Sequence, residues 1–161
     1  MGILSDRDIV ESMMTGHIGI SDFDKRGLTP NGYDLRIAEI KILGKDYVHR
    51  DGTVSVPPRT MFYVSTVETV RMNNYFCAEL WLRTTWIRKG VIGAFGKIDA
   101  GFNGTLTLGA YNASDSAVEI PIGERFCQMV IESMQSPAGK GYSERSGNYQ
   151  GQNGVTLEPK K

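Results

Sequence analysis

The residues best suited to chemistry lie in Lys97–Asn112, K-I-D-A-G-F-N-G-T-L-T-L-G-A-Y-N. Ile98-Asp99 sets a carboxylate at the edge of an apolar segment. Ala100-Gly101-Phe102-Asn103-Gly104 supplies the residue types that accept positive φ and reverse a chain. From Thr105 the pattern alternates: Leu106, Leu108 and Ala110 fall on one face, and Thr105, Thr107, Gly109 and Tyr111 on the other. An ordinary hairpin whose aspartate opens the turn would use the same residues, so the segment needs company. Arg83-Thr84-Thr85-Trp86-Ile87-Arg88 offers two guanidinium groups around two hydroxyls. In a helix, Thr84 and Arg88 stand one turn apart, suited to gripping a phosphate; a solvated basic turn is the alternative. Asp34, after Pro30-Asn31-Gly32, is either a turn carboxylate or a holder of metal-bound water. Gln128 sits in an apolar row, where its amide needs a hydrogen-bond partner from protein or ligand.

Composition narrows the partners. Eighteen basic residues balance eighteen acidic ones with no long run of either sign, so neither a general nucleic-acid surface nor a membrane surface is expected. No apolar run reaches the length of a membrane span and no signal peptide is visible, so the chain is read as cytoplasmic. Cys77 and Cys127 are expected to be buried free thiols. With His17 and His49 as the only histidines no Cys/His metal cluster can be assembled, and the zinc-deaminase signature H-x-E…P-C-x-x-C is absent.

The supporting elements are mostly strands. Nineteen glycines with many Val, Ile, Thr and Tyr predict a β-rich fold. Ser5-Asp6-Arg7-Asp8 predicts a capped helix with an apolar stripe of Ile9, Val10, Met13 and Met14, ending at Gly16. The alternation that starts at Leu35 and Ile37 slips phase near Ala38-Glu39, which predicts a bulge. Pro57-Pro58 marks a break or an edge. The spacing of the strands favours a sandwich or barrel, and the length favours one domain over 1–161. From about residue 136 the hydrophobic period is lost and R-S-G-N-Y-Q-G-Q-N-G follows. Such an arm is disordered or is ordered by what it covers; it offers amides to phosphate and a ring for stacking.

Taken in order, these clusters resemble the dUTPase and dCTP deaminase superfamily over nearly the whole chain. P-N-G-Y-D-L (30–35), R-T-T-W-I-R (83–88), I-D-A-G-F-N-G with the later Y-N (98–112), I-G-E-R-F-C-Q (122–128) and the tail with Y-Q-G-Q carry the resemblance. It implies an all-β distorted barrel with one short N-terminal helix and a C-terminal arm over 136–161. It also implies a homotrimer with sites shared between subunits, and a Mg²⁺-bound deoxynucleoside triphosphate. Carried over, Asp99 activates water and Asp34 orients waters on Mg²⁺. Arg83, Thr84, Thr85, Arg88 and Gln128 hold phosphates, and Phe102 packs on the deoxyribose. Thr107, Leu108 and Gly109 border the base, Tyr149 or Tyr142 covers it, and Gln152 lies near the phosphates.

Deaminases of this superfamily place a glutamate ten residues after that aspartate, and here the position is Gly109. Asn148 stands where the deaminase arm carries a lysine, and Lys97 where an arginine is common. Gly109 would also let a group approach the backbone closely, as main-chain reading of uracil would need. The expected activity is therefore dUTP diphosphatase: Mg²⁺-dependent hydrolysis of dUTP to dUMP and pyrophosphate, with dCTP or dTTP as other possible ligands. The alternatives are a zinc-independent dCTP deaminase and an inactive nucleotide-binding regulator.

Overall fold

The computed structural model describes residues 2–160. Its strands are β1 (Gly2–Ile3), β2 (Ile18–Ile20), β3 (Leu28–Thr29), β4 (Gly32–Ile42), β5 (Thr53–Val56), β6 (Thr60–Thr66) and β7 (Val70–Met72). They continue with β8 (Phe76–Leu82), β9 (Val91–Gly93), β10 (Lys97–Ile98), β11 (Asn103–Gly104), β12 (Thr107–Asn112), β13 (Val118–Pro121) and β14 (Arg125–Ser133). The main sheet runs β10-β8-β14-β4-β6-β12-β9, with β1 added on β14 and β3 on β4. Two small sheets, β11-β7-β2 and β13-β5, complete the all-β distorted barrel that the family resemblance implied, the composition having predicted only a β-rich fold.

The long central strands are held by the core they share. Tyr33, Leu35, Ile37 and Ile40 of β4 are buried with Phe62 and Val64 of β6 and Phe126, Met129 and Ile131 of β14. Along the start of β6, buried Phe62 and Val64 alternate with the more exposed Met61 and Tyr63, as a pleated strand requires, whereas β4 and β14 also bury consecutive residues. The phase slip is a register shift between Ile37 and Glu39 on β4. It turns Glu39 outward, beside Ser65 of β6. A second tether is buried: Glu68 accepts from the Arg36 amide at 2.9 Å and from its Nε at 2.8 Å.

Helix α1 (Asp6–Met14) has the expected cap: the Asp8 amide donates to Ser5 Oγ, and the Asp8 carboxylate accepts from the Ser5 amide at 2.9 Å. The hydrogen bonds that the Asp8 carboxylate accepts from the Ser5 amide and, at 2.8 Å, from the Ser5 hydroxyl hold it below its ordinary range. The expected stripe is only partly right. Ile9 is buried and Met13 packs on the core, but Ser12 turns inward and Met14 is 84% exposed. Met14 lies about 140° around the helix from Ile9, beyond the face that meets the sheet. A second helix, α2 (Thr84–Ile87), is pinned by buried Trp86, whose Nε1 donates to the Arg125 carbonyl at 2.9 Å. Both cysteines are free; Cys127 is buried, and burial pushes its thiol well up. Among the described residues no helix is long and apolar enough to cross a membrane.

Candidate active site

Asp99 is placed by a strand that ends under it. β10 pairs with β8 through Lys97↔Glu79 and Ile98↔Ala78, so Ile98 is buried and the next residue leaves the sheet at its edge. The chain then reverses at Gly101, whose φ of +83° suits glycine. A Cβ there would stand 2.9 Å from both Gly141 Cα and the Tyr142 amide nitrogen, so this turn is also where the C-terminal arm docks. Phe102 is buried and meets Tyr142 edge to face, with ring centroids 5.5 Å apart.

The arm is ordered by the surface it covers, its own chain. The Tyr142 amide donates to the Ala100 carbonyl at 2.8 Å, and the Tyr149 amide donates to the Tyr142 hydroxyl at 3.1 Å. Gln150 bridges the turn, donating to Gly101 O and accepting from the Asn103 amide, both at 3.1 Å. Gln152 Nε2 donates to Thr105 O at 2.7 Å, and Gln152 O accepts from the Thr105 amide at 3.0 Å. These bonds finish a cavity of about 190 Å³ lined by Asp99, Phe102, Thr107, Leu108, Gly109, Tyr142, Tyr149 and Gln152, with Lys97 and Phe95 beside them. Every expected residue from residue 99 onward except Gln128 is in that wall. Asp99 is its one carboxylate among the described residues. Tyr142 is committed to Phe102 and the arm backbone, which leaves Tyr149 as the ring free to lie on a base. The Y-Q-G-Q motif contains Gln150, but its spacing gives no sign of the bridge, which depends on the arm meeting the turn at Gly101.

The second group of expected residues lies elsewhere. Arg83, Thr84, Thr85, Arg88, Gln128 and Asp34 do not line this cavity. Thr84 and Arg88 do stand on one helical turn, with the Arg88 amide donating to Thr84 O at 2.9 Å, and Thr84, Thr85 and Arg88 are exposed. Gln128 finds its partner inside the protein, donating to Thr29 Oγ1 at 2.7 Å. Asp34 is 4% exposed and sits 2.9 Å from Arg83 Nε and 3.5 Å from Arg125 Nη1. Burial pushes its carboxyl up, while the two guanidinium groups pull it down. A carboxylate already shared by two arginines does not fit a cation site within this chain. Among the described residues no group of three or more His, Cys, Asp or Glu gathers as metal ligands. Arg125 was missed because it reads as a turn residue; only cross-strand packing brings it to Asp34.

Gly109 is not a close-approach glycine. It lies on β12 opposite Tyr63, and its φ is not in the left-handed region. A Cβ would meet Met61 Cε at 3.4 Å and Tyr63 Cε1 at 3.8 Å, ordinary van der Waals contacts. The expected tight approach to the backbone is therefore absent, and the site has room for a side chain.

Comparison with known proteins decides the family. The family description "dCTP deaminase-like" matches residues 3–134. The chain belongs to this family. It is 38% identical over 144 residues to a dCTP deaminase of Thermococcus kodakarensis, covering 88% of this chain and 91% of the relative. In fold it is similar to the crystal structure of the 2'-deoxycytidine 5'-triphosphate deaminase of Agrobacterium tumefaciens. That match has a TM-score of 0.71 at 16% identity over 83% of this chain and 48% of that one. A Staphylococcus bacteriophage 80alpha dUTPase is similar with a TM-score of 0.54 at 22% identity, over 76% and 86% of the two chains. The expectation of a dUTP diphosphatase is thereby overturned. It rested on departures at a few positions, Gly109 above all and Asn148 as well, whereas the likeness to dCTP deaminases runs along 88% of the chain.

Proposed function

We propose that this chain is a zinc-independent dCTP deaminase, converting dCTP and water into dUTP and ammonia. The observation that carries the reading is the arm-closed cavity that gathers Asp99, Phe102, Gly109, Tyr149 and Gln152, in a chain whose relatives are dCTP deaminases over most of their length. Deamination adds water to cytosine C4, moves a proton onto the ring and the amino nitrogen, and breaks the C4–N bond. Asp99 is the group we assign to take the water's proton and pass it on, since it is the carboxylate in the wall. Tyr149 would stack on the pyrimidine, and Phe102 would face the deoxyribose.

A whole nucleoside triphosphate needs more room than about 190 Å³. The phosphate-gripping set, Arg83, Thr84, Thr85, Arg88 and Gln128, stands away from the cavity, so a neighbouring copy of the chain would supply it. Trp81, in register with Gln128, is 59% exposed, and Ile87 on α2 is 53% exposed; apolar side chains beside that set suit a subunit contact. A homotrimer with shared sites is therefore part of the proposal. Mg²⁺ would arrive on the triphosphate, since Asp34 is engaged by arginines, and no step here uses it. A cytoplasmic setting is supported by the two free thiols.

Gly109 favours a second reading, in which the site binds the nucleotide without turnover, because no side chain extends there over the cavity. Ammonia release separates the two. The wild-type protein is expected to release ammonia from dCTP, and Asp99→Asn to keep dCTP affinity while losing that release. Tight dCTP binding with no ammonia from the wild type would discard the deaminase in favour of the regulator.

A further inference from the structure

The arm crosses the outer face of the sheet over one row of side chains. Pairing of β4 with β6 and of β6 with β12 sets Glu39, Ser65 and Thr107 side by side. The first and last of these hold the arm. Glu39 Oε2 accepts from the Val155 amide at 2.9 Å, and Arg50 Nε holds the other oxygen, Oε1, at 2.8 Å. Thr107 Oγ1 accepts from the Thr156 amide at 3.0 Å and reaches Gly154 O at 3.4 Å. Gly154 must be glycine here: its φ is +69°, and a Cβ would come within 2.8 Å of Glu39 Oε2. Between the two anchors the Ser65 hydroxyl is fully buried and has no hydrogen-bond partner among the described residues.

We infer that Glu39 and Ser65 set how firmly the arm closes, Glu39 as its anchor and Ser65 as the counterweight, so that both act as positioning residues for Tyr149 and Gln152. The charged anchor makes a strong hydrogen bond to a backbone amide in a partly buried place. Closing the arm strips water from the Ser65 hydroxyl without replacing it, which opposes closure. A cover held by opposed terms is easier to open than one that is only anchored, as ligand entry and product release require. The two residues touch the arm and its bed, and neither lines the cavity with Asp99. The link to catalysis rests on the deaminase reading; the closure itself does not.

Amide hydrogen exchange of the full-length protein tests closure directly, with β14 as the control for the fold. Glu39→Ala is expected to speed exchange across residues 152–157 on the order of 10-fold. Glu39→Gln, whose amide oxygen still accepts from Val155, is expected to restore most of the protection. Ser65→Ala is expected to slow the same exchange. In steady-state assays on dCTP, Glu39→Ala raises KM with a smaller effect on kcat. Unchanged arm exchange in Glu39→Ala, no recovery in Glu39→Gln, or faster exchange in Ser65→Ala would overturn the inference. If dCTP is bound but not deaminated, the exchange results still decide the anchor while the deaminase reading falls alone.

Discussion

Substituting Gly109→Glu asks how much of a deaminase this site already is. The backbone accepts the change: φ is not left-handed, and the new Cβ meets Met61 and Tyr63 at 3.4 and 3.8 Å. Replacing glycine restricts the unfolded chain, worth roughly 0.4–1 kcal/mol in favour of the fold, and glutamate, less poorly suited to a strand than glycine, does not oppose that gain. Net stability should shift by less than about 1 kcal/mol, or roughly 2–4 °C in Tm for a chain of this size. Chemistry should move much further. A second carboxylate in the wall with Asp99 can hold the proton that Asp99 must otherwise carry through both addition and ammonia loss. General acid–base groups contribute about 10²- to 10⁴-fold, equivalent to roughly 2.7–5.4 kcal/mol of barrier. The assay is the initial rate of ammonia release at saturating dCTP, with Tm and dCTP affinity measured on the same preparation. A variant that is folded, binds dCTP as the wild type does and releases ammonia no faster would refute the placement of the base beside residue 109.

Two further outcomes concern the frame. Glu68→Ala should destabilise the protein by about 3–5 kcal/mol, because it leaves Arg36 without its buried partner, and thermal unfolding should show a fall of roughly 10 °C. Arg26 hydrogen-bonds Asp24 and lowers its carboxyl to about 2, from an ordinary 3.8. A depressed carboxyl adds stability that is present above about pH 3.8 and is lost as pH falls through about 2. Asp24→Asn should therefore flatten the acid unfolding curve in that window, its stability deficit against the wild type being constant above about pH 3.8 and shrinking as pH falls towards about 2.

By itself the sequence determined the features that depend on neighbours along the chain. The Ser5–Asp8 cap, the bulge before Glu39, the turn at Gly101 and the β-rich fold follow from local φ/ψ preference and alternation, which act over a few residues. It also assembled the wall of the cavity, since Asp99, Phe102 and Gly109 share one turn and one strand, and the arm's aromatic and amide pattern asked for a surface to cover. Tertiary structure decided what depends on distant segments meeting. Asp34 turned out to be held by Arg83 and Arg125, Gln128 by Thr29, and the arm by Glu39, a residue that on its strand reads only as a break in phase. Hydrogen bonds and ion pairs between strands far apart in sequence leave no period in the chain, because their partners are chosen by sheet register and packing.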